Sequence, residues 1–208
     1  MCERQTEMDR PVITLFEAYG SGANVVGPKV AEALGVPYIG QQTSSEQLEA
    51  ADPKGSGRVN VGDFLKSLAF VDQGSIELLQ TPYEQMARQQ ARTVLDLVKG
   101  GGVVLGRNAT VILGSMPDVL HVKLEGSRDY RIARAAREAN ISLEQAALRQ
   151  MREDTARAEI SMDIWHWDPR ASAHYDLILS TETFGMDGCV DMILEAAKRK
   201  QAKATAGL

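Results

Sequence analysis

Two stretches of the chain carry residues whose types and spacing suit work on phosphate. The first is Tyr19-Gly-Ser-Gly-Ala-Asn24, followed by Val25. Gly20 and Gly22 permit a tight turn, and the spacing of Val26, Val30 and Leu34 places a helix directly behind it. A loop that joins a buried strand to a helix N-terminus presents unpaired backbone N–H groups and the positive end of the helix dipole, a natural seat for a phosphate. Glycine-rich turns also make plain strand-to-helix connections, so the spacing alone leaves both readings open. The second stretch runs from Arg128 to Arg157 and holds seven arginines against five acids, Asp129, Glu138, Glu144, Glu153 and Asp154. The planar fork of arginine pairs two phosphate oxygens at once. The competing reading is a solvated helix face laced by pairs such as Arg149 with Glu153, with Asp154 either orienting Arg157 or simply capping charge along the helix.

The elements that would position these residues alternate along the chain. The β-branched run Val12 to Phe16 reads as a buried strand, and the helix behind the glycine loop ends at Gly35 and Pro37. Val36 to Gly40 is a second short strand, so the first 40 residues read strand–loop–helix–strand, a parallel pair with a right-handed crossover. Gln41 to Gln80 is weakly patterned. Within it Asp52 to Gly62 is rich in turn formers, which predicts a mobile loop covering a substrate. A helix follows over about Thr81 to Lys99, then a strand at Val103 to Leu105 and another at His121 to Leu124. Helices are expected from about Ser127 to Ala139 and from Ser142 to near Ile160, a strand at Leu177 to Leu179, and a last helix from about Asp187 to Lys200. The alternation predicts an α/β fold, a doubly wound, mostly parallel sheet of about five strands whose ligands bind beyond the strands' carboxyl ends.

With 208 residues and no compositional break, a single domain is expected over 11–200, between a flexible N-terminus at 1–10 and a flexible tail at 201–208. A formal net charge of −5 gives no global electrostatic basis for a nucleic-acid partner, so any anion site is local. No apolar run approaches the roughly 20 residues of a membrane span, and MCERQTEMDR lacks the apolar core of a secretory signal, so the cytoplasm is the expected location. Cys2 and Cys189 make neither a disulfide framework nor a metal motif. His121, His166 and His174 lack metal-ligand spacing, and no metal ligand is assigned. Trp165, His166 and Trp167 form an aromatic knot that reads as a packing anchor in preference to a base pocket. The sequence leaves homo-oligomerisation open.

Four motifs in order give the pattern a family likeness. VITLFEAYGSGANVVGPKVAEALGVPYIG resembles the opening of the cytidylate kinase-like family, relatives of bacterial cytidylate kinase among the P-loop nucleoside monophosphate kinases. GGGVVLGRNATVIL is similar to that family's strand ending in a Gly-Arg pair, PDVLHVKLEG to its next strand, and DTARAEI through DPRASAHYDLILST to its lid and last strand. The likeness covers roughly 12–195. It implies a kinase that uses ATP, with Mg2+ carried by the nucleotide, and a nucleotide or related small acceptor such as CMP or dCMP. Gly20, Ser21, Gly22, Ala23, Asn24 and Val25 would cradle the donor phosphates, and Arg107 would face the acceptor. A lid over about 142–170 would bring Arg149, Arg152 and Arg157 onto the transferring phosphoryl group, where catalysis consists mainly of positioning and cationic clamping.

The loop departs from the G-x-x-x-x-G-K-[ST] pattern, because Ala23 and Asn24 stand where the lysine and the Mg2+-binding hydroxyl belong. Lys29 is too far along the helix to substitute, and Pro28 removes a helical hydrogen bond to the carbonyl of Asn24, predicting a late start or a bend. Backbone N–H groups survive these changes. A nucleotide- or phosphate-binding protein with a regulatory or scaffolding role is therefore the alternative to a kinase.

Overall fold

A computed structural model of the protein describes residues 10–41, 45, 82–106 and 108–205. Arg107 and the loop Asp52 to Gly62 lie outside the described residues. In chain order the elements are β1 (Val12–Glu17), α1 (Ala23–Leu34), β2 (Tyr38–Ile39), α2 (Pro82–Leu97), β3 (Gly102–Leu105), α3 (Ala109–Ile112), β4 (Val119–Glu125), α4 (Arg128–Ala139), α5 (Leu143–Trp165), β5 (Leu177–Ser180) and α6 (Thr181–Thr205). A single 3-10 turn, Ser172–His174, precedes β5.

The strands form one sheet in the order β2-β3-β1-β4-β5, and every pairing is parallel. Such strands are covered on both faces and read as continuous apolar runs, which is why β1, β3 and β4 were legible. One face carries Ile13, Leu15, Val103, Leu105, Leu120, Val122, Leu124 and Leu179, packed under Val26 and Val30 of α1 and Cys189 and Ile193 of α6. The other buries Val104 and Val119 against Val94 of α2 and Val98 just after it, and against Ala109 of α3 and Leu113 just after it. A buried polar chain crosses this second face: Thr14 Oγ1 lies 2.8 Å from His121 Nδ1 and 3.1 Å from Thr110 Oγ1. Burial lowers the pKa of His121, against the raising effect of Asp176.

The ends of three helices differ from the sequence-based expectations. α1 starts at Ala23 and runs through Pro28, with no late start. α5 begins as expected, with a capping box between Ser142 and Gln145, but continues to Trp165 and stops at His166 in the left-handed conformation. The final helix starts at Thr181, directly after β5, and carries a non-helical break at Gly185 (φ 67°, ψ 174°). After that break the helix covers the expected Asp187 to Lys200 and continues to Thr205, into the stretch expected as a flexible tail.

Candidate functional site

β1 is the central strand, and its carboxyl end lies between those of β3 and β4, with Leu15 opposite both Leu105 and Val122. The chain leaves it in a tight loop. Ala18 N–H donates to Leu124 O (3.1 Å), Ser21 N–H to Ala18 O (2.9 Å), and Gly106 N–H to Leu15 O (2.8 Å), which brings Gly106, just after β3, beside the loop. Gly20 and Gly22 have φ of 85° and 93°, a region that costs an L-residue strain. At Gly20 a Cβ would also lie 2.4 Å from the carbonyl oxygen of Arg131. Gly22, as N-cap of α1, has no side chain to satisfy the helix's first N–H groups. Ala23 N–H instead donates to Glu17 Oε2 at 2.9 Å.

The outer side of the loop is gripped by α4 and α5. Arg131 Nη1 donates to Tyr19 O (2.8 Å) and pairs with Asp154 Oδ2 (3.0 Å), while Tyr19 N–H donates to Asp154 Oδ1 (2.8 Å). Gln150 Nε2 donates to Asp154 Oδ2 (2.7 Å), and Arg128 Nε to Gln150 Oε1 (3.0 Å), extending the grip along both helices. One turn on from Arg131, Arg134 lies over the loop. Its Nη1 reaches Gly20 O at 3.4 Å and its Nη2 reaches Asn24 Oδ1 at 3.5 Å. Its Cζ would be 3.0 Å from a Cβ at Gly22. Glu138 pairs with Arg134 at 2.8 Å and accepts from Asn24 Nδ2.

The structure brings some of the expected site residues together and leaves others apart. Gly20 through Val25 do form the turn and first helical residues at the sheet's carboxyl edge. Arg149, Arg152 and Arg157 share α5, where Arg152 is buried and Arg149 partly so. Arg157 pairs with Glu153 through Nη2 and, at 2.9 Å, through Nε, while Asp154 pairs with Arg131 of α4. Lys29 is held away from the loop by Asp187 of α6 at 2.6 Å. Arg131 and Arg134 were missed as individual site residues; their i,i+3 spacing within the cationic stretch was the available signal. A second missed cluster ties α2, α3 and α5 together: Gln90 Oε1 accepts from Asn108 Nδ2 (3.1 Å) and Trp165 Nε1 (2.9 Å), and Ser161 Oγ donates to Asn108 Oδ1 (2.6 Å). Trp167 is buried with its ring edge-on to His174, centroids 5.5 Å apart, a packing anchor in geometry.

The site's electrostatics are set by a carboxylate beside the cations. Burial pushes the Glu17 carboxyl above its ordinary value and Glu153 adds to the rise; the Ala23 N–H, Arg157 and Arg134 pull the other way. Ser21 Oγ and Glu153 Oε1 are buried with no hydrogen-bond partner among the described residues. Buried polar atoms are otherwise nearly always paired. Among the described residues no group of three His, Cys, Asp or Glu side chains gathers as a metal site, and no helix is long and apolar enough to cross a membrane.

A five-stranded parallel sheet with a glycine-rich turn after its central strand, opening onto a helix N-terminus, defines a doubly wound α/β fold. The chain belongs to the Cytidylate kinase-like family, whose model matches residues 12–183. A cytidylate kinase from Archaeoglobus fulgidus is 26% identical over 193 residues, 92% of this chain and 97% of that protein. A uronate isomerase from Corynebacterium glutamicum is 34% identical over 116 residues, 56% of this chain; the chain spans only 22% of that protein's length. Among solved structures, an uncharacterized protein from Eubacterium ventriosum superimposes with a TM-score of 0.66 at 20% identity, covering 91% of this chain and 99% of that one. That last likeness bears on the fold alone.

Proposed function

We propose that this protein is an ATP-dependent phosphotransferase acting on a nucleoside monophosphate such as CMP or dCMP, or on a related small acceptor. The observation that carries the reading is the guanidinium of Arg134 lying over the glycine loop, on Gly20 O and Asn24 Oδ1. It supplies from α4 the positive charge that Ala23 does not supply from within. The backbone of 20–25 holds the donor's β- and γ-phosphates at the positive end of α1, through N–H groups other than those of Ser21 and Val25, which donate to Ala18 O and Gly22 O, and MgATP enters as the substrate complex, its cation held by the phosphates. The acceptor's oxygen attacks the γ-phosphorus and ADP leaves. Negative charge spreads over the oxygens in flight, and Arg134 with the α5 arginines Arg149, Arg152 and Arg157 neutralises it. Arg107, after β3, faces the acceptor in this reading.

The test combines binding with turnover. ATP and CMP each raise the melting temperature, about 2.7 kcal/mol of stabilisation at 100 times the dissociation constant, and a coupled assay detects ADP only with both present. Arg134→Ala lowers affinity for ATP while the unliganded protein melts as the wild type does. Equal ATP affinity in the variant removes Arg134 from the site. The second reading, a nucleotide- or phosphate-binding protein without transferase activity, is favoured by Ala23 and Asn24 and by a carboxylate bonded to the first N–H of α1. Mg2+-dependent phosphate transfer by the purified protein eliminates it.

A further inference from the structure

The helix N-terminus that a phosphate would occupy already has an anion on it. Glu17 ends β1, and its Oε2 accepts the N–H of Ala23, the first residue of α1, at 2.9 Å. A phosphoryl oxygen seated on this loop needs that N–H group and the same dipole end. The carboxylate of Glu17 and a phosphate cannot both hold it, and as neighbouring anions they repel. Resting on the nucleotide-binding reading above, we propose that Glu17 is a built-in competitor for the phosphate seat, and that a polyphosphate binds only as Glu17 takes up a proton or withdraws from Ala23.

The surroundings of Glu17 make this a proton-linked exchange. Ala23 N–H of α1, Arg134 of α4 and Arg157 of α5 favour its charged form; Glu153 of α5 opposes it, and the Tyr38 phenol of β2 is itself pushed up to about 12 by burial and by Glu17. Arg157 is also committed to Glu153, so it does not serve Glu17 alone. Arg134 is shared among Glu138, Gly20 O and Asn24. With burial as the largest influence, the carboxyl sits above its ordinary value, and an approaching anion pushes it further up. The linkage runs in one direction. Affinity is highest below the pKa of Glu17 in the free protein and falls as pH rises through it, by up to about tenfold per pH unit above it.

Inorganic tripolyphosphate is the probe, titrated calorimetrically into wild type, Glu17→Gln and Glu17→Ala between pH 5.5 and 8, in buffers of differing ionisation enthalpy. Comparing proteins at each pH cancels the probe's own titration. The expected result is proton uptake on binding to wild type beyond that of the probe. Glu17→Gln should bind about tenfold or more tightly at pH 8, with the advantage shrinking toward pH 5.5, and Glu17→Ala should follow the same trend without the charge or the acceptor. Wild-type binding with no extra proton uptake, and variants that bind equally or more weakly, overturns the proposal while leaving the phosphate seat intact. Absence of binding by folded wild type and both variants at every pH overturns the seat and the proposal together.

Discussion

Asp154 is the residue through which α5 holds the glycine loop, and removing it tests that arrangement quantitatively. Its carboxylate accepts from Tyr19 N–H (2.8 Å), Gln150 Nε2 (2.7 Å) and Arg131 Nη1 (3.0 Å). Hydrogen bonds to a charged group contribute about 1.5–3 kcal/mol each in favourable settings. The Asp154 side chain keeps 28% of its exposure and Arg131 11%, so water screens part of the pairing and the three bonds do not add. Asp154→Ala should therefore cost about 2–4 kcal/mol, and Asp154→Asn less, because it retains one acceptor oxygen. Urea unfolding followed by tryptophan fluorescence suits the measurement, since Trp165 and Trp167 lie at the end of α5. A double-mutant cycle with Arg131→Met should return a coupling of about 1–2 kcal/mol. Asp154→Ala within about 0.5 kcal/mol of wild type, or a coupling indistinguishable from zero, refutes the idea that this pair frames the loop.

Three further outcomes follow from single positions. Gly35→Ala isolates left-handed strain, since φ is 64° and nothing lies within 4 Å of the new Cβ, and should cost about 1–2 kcal/mol. Gly20→Ala adds a 2.4 Å approach to the Arg131 carbonyl and should cost at least about 1 kcal/mol more; equal denaturation midpoints would contradict this. Burial lowers the pKa of His121 below its ordinary 6.5, so the unfolded chain binds the proton more readily; stability is full above 6.5 and declines as pH falls below it. Urea titrations from pH 7.5 to 5 should show a shallower decline in His121→Gln than in wild type, and parallel declines would rule out the linkage. Gln90→Leu strands the Trp165 and Asn108 N–H groups, costing about 1–3 kcal/mol and shifting the Trp165 emission; an unchanged spectrum and midpoint would disprove the contact.

How far the sequence could be read depended on whether a contact is local. The strand–loop–helix–strand opening was visible because β-branched runs, left-handed glycines and the Gly35 cap act over a few residues. Ser127 and Ser142 marked the starts of α4 and α5 for the same reason, each accepting a backbone N–H three residues on. The end of α5 was not visible, since His166 is an unusual left-handed stop, and Thr181 hid the start of α6 because β5 passes into it without a turn. The pairing of Asp154 crosses between helices. Neighbour rules along a helix offer Asp154 to Arg157, but Asp154 is taken by Arg131, 23 residues away on α4, and Arg157 falls to Glu153. Nothing in a helix-face pattern encodes which of two adjacent acids faces the neighbouring helix.

In the phosphotransferase reading proposed above, the two arginines on α4 divide the work that a P-loop lysine would otherwise do, and their geometry assigns the shares. Arg131 is bound at 2.8 Å to Tyr19 O and at 3.0 Å to Asp154, with its Nε on Gly126 O at 3.2 Å. Every one of those contacts lies within the normal hydrogen-bond range, so it is committed to holding the loop's outer wall. Arg134 touches the loop only at 3.4 and 3.5 Å, distances at which little energy is lost on leaving. Among the described residues its one short contact is to Glu138, in a pair where Arg134 keeps 13% and Glu138 40% of the side-chain exposure, so water screens the glutamate side of it. A phosphate arriving over Gly22 can therefore recruit Arg134 without unmaking the frame, whereas recruiting Arg131 would release Tyr19 and open the loop. In that reading a fixed arginine and a transferable one, placed one turn apart on the same helix, let the loop keep its shape while it holds a phosphate.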